Sequence, residues 1–286
     1  MADGSADRCD SAKHRLSRRA RESFAVVVPA YDEVESIGEL IRAMRAAFTR
    51  HGLQGEVLLV DDGSRDGTVD AALHAAQGWS RLRVLQHPRN LGKTEALITA
   101  SQATDAEWLV VLDADLQYDP DDIPRFLMLL DQGFDIVTGR KVGPYEKKSV
   151  SRIYNGLSRA VFGVPVSDLN SMKALRREIF DEIPLRHDWH RFLVVLAWKR
   201  GFSVTEIDVQ LRPRLYGHSK YSGPLRVVLG TFDLVAVSCA VFFGERASLP
   251  RGRLTERGRL VERALVERER AKPHTWRARP RSSTAA

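Results

Sequence analysis

The chain has 286 residues, 43% of them hydrophobic and 28% charged, with a mean hydropathy of −0.27. These values describe a globular protein and exclude a wholly disordered chain or a polytopic membrane protein. The net charge of +7 suggests nucleic-acid binding only until it is divided: residues 245–286 hold 12 basic against 5 acidic side chains, residues 1–23 hold 6 against 4, and 26 face 28 in the body. The body is slightly acidic, so a nucleic-acid-binding reading would rest on the ends alone. Cys9 and Cys239 make neither a CxxC pair nor a disulfide framework, which leaves a reducing, cytoplasmic location as the default.

Residues 1–23 are polar, with Arg15, Arg18, Arg19 and Arg21 but no apolar stretch behind them, and read as a disordered leader. From Phe24 short β-branched runs alternate with helical patterns. Strands are expected at Phe24–Val28, Glu56–Val60, Leu82–Leu85, Trp108–Leu112 and Phe134–Thr138. Ile37, Leu40, Ile41, Met44 and Phe48 share one helical face, with Asp32 and Glu35 placed for a capping box. Val69, Ala72, Leu73 and Ala76 mark a second helix after Asp66, and a third is expected from Thr94 to about Ala103. Ile123, Phe126, Leu127 and Leu130 mark a fourth behind Asp119 and Pro120. Strands that are nearly continuous apolar runs between helices predict a mostly parallel α/β sheet covered on both faces.

Beyond Gly143 the alternation stops. A basic loop leads to a helix with Val150, Ile153, Leu157 and Val161 on one face; a helix near His190–Lys199 ends at Gly201, and Ser203–Leu211 reads as a strand. His190 and Arg191 fit packing or capping better than catalysis. The apolar run 227–244 contains Asp233, so a core or membrane-surface helix fits at least as well as a bilayer span. The Arg/Glu-rich tail, 245–286, lacks an apolar face and is expected to be disordered.

In such sheets ligands bind at the carboxyl ends of the strands, and the segments there carry most of the chemistry. Asp113-Ala114-Asp115-Leu116-Gln117 follows the fourth strand. If extended geometry persists, Asp113 and Asp115 point to one side with Gln117 next in line. Two carboxylates so placed repel unless a cation lies between them, and a hard divalent ion shared with substrate phosphate answers that need. Asp61-Asp62-Gly63-Ser64 ends the second strand; Asp61 is suited to accept a hydrogen bond from a nucleobase N–H, Asp62 to serve ribose hydroxyls or only the turn, and Asp66 to cap the next helix. Gly92-Lys93-Thr94 is no P-loop, because His87 stands where the motif requires glycine. No GxGxxG follows a strand, and neither a GxSxG elbow nor an HExxH helix occurs. Basic groups gather at Arg140, Lys141, Lys147, Lys148 and Arg152, and again at Arg212, Arg214 and Lys220, as anion binding requires.

Val28-Pro29-Ala30-Tyr31-Asp32-Glu33, Val60-Asp61-Asp62-Gly63-Ser64, Asn90-Leu91-Gly92-Lys93, Asp113-Ala114-Asp115-Leu116-Gln117 and Gly217-His218-Ser219-Lys220-Tyr221 together resemble family 2 glycosyltransferases, within them the polyprenyl-phosphate (dolichyl-phosphate mannose synthase-like) sugar transferases. The resemblance spans about 24–240 and implies a GT-A (Rossmann-like) α/β fold over 24–226. It further implies a GDP- or UDP-linked sugar donor, Mg²⁺ or Mn²⁺, and inverting transfer of a hexose or N-acetylhexosamine to a polyprenyl monophosphate. By the same resemblance Pro29, Ala30, Tyr31, Glu33, Asp61, Asp62 and Lys93 serve the donor. Asp113, Asp115 and Gln117 serve ribose, metal and diphosphate, Arg214 and Lys220 close over the diphosphate, and Arg140, Arg152 and Ser219 lie near the acceptor phosphate. Asp115, Arg140, Arg214 and Lys220 are the expected catalytic set. Asp168 and Asn170 lie in a segment, Val166–Arg176, that departs from the family's glycine-bearing form. The basic tail favours peripheral attachment to the cytoplasmic membrane face or to a membrane-anchoring partner. A saccharide or other lipid acceptor, and nucleic-acid binding through the tails, are the competing readings.

Overall fold

The computed structural model describes residues 16–143, 156, 162–183, 185–186 and 189–214. Apart from residue 156, the segment 144–161 with its expected helix lies outside them, as do the apolar run 227–244 and the tail. Seven strands build one sheet: β1 (Phe24–Ala30), β2 (Glu56–Asp61), β3 (Leu82–Gln86), β4 (Trp108–Val111), β5 (Ile136–Val142), β6 (Lys173–Arg176) and β7 (Val204–Gln210), in the order β3-β2-β1-β4-β6-β5-β7. The helices are α1 (Arg18–Glu22), α2 (Val34–His51), α3 (Thr68–Ala76), α4 (Lys93–Gln102), α5 (Ile123–Asp131), α6 (Glu178–Glu182) and α7 (Leu193–Lys199).

The expected mostly parallel sheet is present, and its exception is the strand the sequence pattern did not announce. β6 runs antiparallel to both neighbours, with Val111 and Thr138 each in register with Lys173. A strand that runs backwards presents its first residue, not its last, at the edge where the others end.

Alternation along the buried strands supplies two cores. Val26, Val28, Val57, Leu59, Val110 and Leu112 face α2, α3 and α5, while Ala25, Val27, Leu58, Val60, Leu109 and Val111 face α4, α6 and α7. This is why the strands read as unbroken apolar runs: neither face meets water. The stripe of α2 is buried throughout, and the helix ends at left-handed Gly52, whose N–H reaches Phe48 and Thr49 carbonyls.

Two local expectations change. The capping box of Asp32 and Glu35 does not form, because the helix starts after Glu33 and the Val34 N–H donates instead to Asp66 Oδ2 at 3.1 Å. Asp66 also accepts from the Thr68 N–H at 3.0 Å, so one carboxylate serves the first turns of two helices. The leader expected to be disordered through residue 23 contributes α1. Ser17 caps it, Ala20 is fully buried, and the Arg19 guanidinium lies 5.2 Å from the Trp108 ring centre.

Phe126 is fully buried where α5 packs under β4, β5 and β6. Phe126→Ala is expected to lower unfolding free energy by about 3–5 kcal/mol, measured by urea denaturation followed by tryptophan fluorescence.

Candidate active site

The carboxyl ends of the first three strands are level: Ala30 pairs with Asp61, and Asp61 with Gln86. The loops that follow are laced together. The Asp32 N–H donates to Ser64 Oγ at 2.8 Å, the Arg65 N–H to Asp32 Oδ1 at 3.0 Å, and the Glu33 N–H to Thr68 Oγ1 at 2.9 Å. Gly63 makes the turn possible: its φ is +79°, and a Cβ there would lie 2.4 Å from the Arg89 carbonyl carbon.

Asp61 is fully buried. Its Oδ2 accepts from the Ser64 N–H at 3.2 Å and Gln86 Nε2 at 2.9 Å, while Oδ1 has no hydrogen-bond partner among the described residues. Burial raises its pKa above the ordinary carboxylate range against the opposing hydrogen bonds from Ser64 and Gln86. Asp62 has a different task. It accepts from the Leu91 and Gly92 N–H groups at 2.9 and 2.8 Å and meets His87 Nδ1 at 2.7 Å, which pins the 87–92 loop. Of the roles open to Asp62, the turn role is the one these contacts display.

A cavity of about 300 Å³ opens at this edge, lined by Pro29, Ala30, Tyr31, Glu33 and Asp62 on one flank and Asp113, Asp115, Lys93 and Arg214 at its middle. Ala96, Asn170, Ser171, Lys173, His190 and Arg191 also face it. Each acid of the central pair is held by a cation: Lys93 Nζ contacts Asp113 Oδ1, and Arg214 Nη2 donates to Asp115 Oδ2 at 2.6 Å. Burial and then the charge of Asp113 push the Asp115 carboxyl up to about 6. Burial also opposes the charge of Asp113, yet Lys93, with Lys173 and Lys141 behind it, holds that group below the usual range. The donor set suits a hard divalent cation: two carboxylates on one short loop, with the rest of the coordination sphere left to phosphate oxygens and water. No group of three or more histidine, cysteine or acidic side chains placed to hold a metal ion by themselves occurs among the described residues.

Several expected residues are not brought to the cavity. Leu116 has a φ of 60°, which ends the extended run and turns Gln117 aside. Gln117 instead fastens the 211–214 segment: its carbonyl accepts from the Arg212 N–H at 2.9 Å, and Arg212 also reaches Asp119. Arg140 stands on the exposed face of β5, bonded to Asp208 Oδ1 at 2.5 Å and 3.6 Å from Glu206 Oε1, outside the cavity lining. Asp61 lies behind the lining at the β2 end. Arg152, Ser219 and Lys220 lie outside the described residues.

Other groups enter unannounced. His190 and Arg191, expected to pack or cap, line the cavity, with His190 Nδ1 3.0 Å from Thr94 Oγ1. Lys173 is the larger surprise: it is 7% exposed, faces the cavity from the start of β6, and makes no hydrogen bond or salt bridge among the described residues. Burial, then repulsion from Lys93, pushes its ammonium down to about 8 despite Asp113 and Asp168. The available signal was a lysine set between Met172 and Ala174 in a strand-like run.

A nearly parallel seven-stranded sheet with one reversed strand and an acidic pair at the β4 end fits a GT-A glycosyltransferase. The model of glycosyl transferase family 2 matches residues 25–189, and the chain belongs to that family. It is 35% identical over 219 residues to the undecaprenyl-phosphate 4-deoxy-4-formamido-L-arabinose transferase of Salmonella paratyphi A, covering 75% of this chain and 67% of that one, and equally similar to that of Salmonella dublin. Among solved structures it resembles glucosyl-3-phosphoglycerate synthase of Mycobacterium tuberculosis in complex with Mn²⁺, uridine diphosphate and phosphoglyceric acid, with a TM-score of 0.62, 21% identity and 78% of each chain covered. A second mycobacterial protein gives 0.64 at 22% identity, covering 78% of this chain and 76% of the other. The structural likenesses establish the fold.

Lys173→Met is expected to melt at a higher temperature than the unaltered protein at pH 7. A lysine whose folded pKa is about 8 lowers stability below that pH, and the penalty lifts as pH rises toward the ordinary lysine value. The melting difference therefore shrinks between pH 8 and pH 10, as thermal scans across that range will measure.

Proposed function

We propose that the protein transfers a hexosyl or N-acetylhexosaminyl group from a nucleoside diphosphate sugar to a polyprenyl monophosphate, with inversion at the anomeric carbon. The observation that carries this reading is the acidic pair at the cavity's middle, each carboxylate matched by a cation, beside a flank fit for a nucleoside. The polyprenyl-phosphate acceptor is supported by the names of the 35%-identical relatives.

In this reading Pro29, Ala30, Tyr31 and Glu33 form the nucleoside wall, and Asp61 Oδ1, unpartnered behind that wall, would have to be uncovered to accept from a base N–H. Asp113 and Asp115 would hold Mg²⁺ or Mn²⁺, which supplies charge neutralisation of the departing diphosphate. Lys93 and Arg214, now paired with the two acids, are placed to turn toward the diphosphate once its charge arrives. No general base is required: a phosphate monoester has a second pKa of about 6 and reaches pH 7 already ionised. The protein's task is to bring two anions together and stabilise the leaving one. Gln117 contributes by holding the 211–214 segment, and with it Arg214, against the acidic loop. Arg152, Ser219 and Lys220 keep their resemblance-based roles as proposals, and Arg140 would have to leave Asp208 and Glu206 to reach an acceptor.

Peripheral attachment to the cytoplasmic membrane face is part of the proposal and is supported by the basic tail, which favours an anionic leaflet; no helix among the described residues is long and apolar enough to cross a bilayer, and the apolar run 227–244 lies outside them. The net charge of the body, 26 basic against 28 acidic side chains, gives nucleic-acid binding no support.

The test incubates the full chain with GDP-mannose, UDP-glucose or UDP-N-acetylhexosamines, Mg²⁺ or Mn²⁺ and a short polyprenyl monophosphate, and follows sugar into the lipid phase. Transfer from one donor is expected, falling by at least about 100-fold in Asp115→Ala. A retained anomeric configuration would overturn the single displacement, and transfer only to a soluble saccharide would replace the acceptor.

A further inference from the structure

Three cations besides Arg214 gather around Asp113 at the carboxyl edge, and two are accounted for. Lys93 is held by Asp113. Lys141 Nζ lies 3.4 Å from Asp168 Oδ2 and donates to the Asn170 carbonyl at 2.9 Å. Lys173 has no such partner among the described residues, although it is 7% exposed. Its side chain is largely buried while it lines the cavity, so a ligand there can supply the counter-charge that it lacks among the described residues.

The position narrows the ligand. β4 carries the acidic pair, and the nucleoside flank lies over β1 and β2. Lys173 begins β6, on the opposite side of β4 from that flank. Displacement in line requires the incoming phosphate to approach from the side away from the diphosphate. That phosphate needs a cation, yet Arg140 is fastened to Asp208 and Glu206 on the exposed face of β5, outside the cavity. Ser171, two residues before Lys173, faces the same cavity.

We infer that Lys173 binds the phosphate of the acceptor, an inference that rests on the polyprenyl-phosphate reading above. The ammonium donates to a phosphate oxygen and offsets the repulsion between the incoming monoester and the donor diphosphate. The contact forms before any bond changes, so its loss weakens acceptor binding first.

The experiment compares the unaltered full chain with Lys173→Met and Lys173→Arg. It measures transfer to farnesyl monophosphate, direct binding of farnesyl monophosphate against farnesol, and binding of UDP and GDP with Mn²⁺. Lys173→Met is expected to raise KM and weaken phosphate-dependent binding by about 10- to 100-fold, the range for one charge-assisted hydrogen bond. Nucleotide binding should be unchanged, which also certifies the fold, and Lys173→Arg should recover part of the loss. Should Lys173→Met misfold, Lys173→Gln carries the same comparison. Weakened nucleotide binding with unchanged acceptor KM would assign Lys173 to the donor and overturn the inference, as would no change in either. An unaltered protein that neither binds nor glycosylates the monophosphate would bring down the polyprenyl-phosphate reading too, whereas an active one matched by Lys173→Met removes only the role of Lys173.

Discussion

Charge compensation at the carboxyl edge of the sheet governs this structure. Asp113 and Asp115 come from one short loop, and their mutual repulsion would be severe in a partly buried setting without cations. Lys93 comes from the start of α4 and Arg214 from the segment after β7, so compensation draws on elements more than a hundred residues apart in sequence. The fold must bring the β3–α4 loop and the 211–214 segment to the same point, and much of the surrounding hydrogen bonding does that work. Asp62 clamps the backbone of Leu91 and Gly92 just ahead of Lys93, and Gln117 and Asp119 clamp Arg212 just ahead of Arg214.

The same economy appears on the donor flank. Ser64, Asp66 and Thr68 of one loop satisfy the backbone of Asp32, Glu33 and Val34 in another, so the two loops form one rigid wall. Gly63 permits the tight approach to Arg89 on which that wall depends. Polar residues that look like ligand contacts in a linear motif are thus divided: some face the cavity, and others hold those that do.

This division explains what the sequence could and could not reveal. Period and length located six of the seven strands and the main helices, because their apolar residues have one solution each for burial. β6 escaped because its four residues include a lysine and an arginine and follow an irregular segment. The acidic loops were legible as chemistry, since paired carboxylates at a strand end have few structural reasons to exist. Gln117 joins them only where the backbone stays extended, and the left-handed conformation of Leu116 is a tertiary outcome with no local signature. Arg140 was grouped with other basic residues by proximity in sequence, while its face was set by its register with Asp208 on β7, a pairing between residues far apart in the chain.

The reversed direction of β6 carries a consequence for specificity. Loop residues must be ordered when a substrate arrives, and that loss of freedom subtracts from affinity. Lys173 is fixed by ladder bonds to β4 on one side and β5 on the other. Its backbone is already ordered in the folded protein, so a ligand meeting its ammonium group has only side-chain rotamers to fix. In the acceptor role inferred above, a change of side chain at this one position would alter what the cavity accepts without a change in the ladder that holds it.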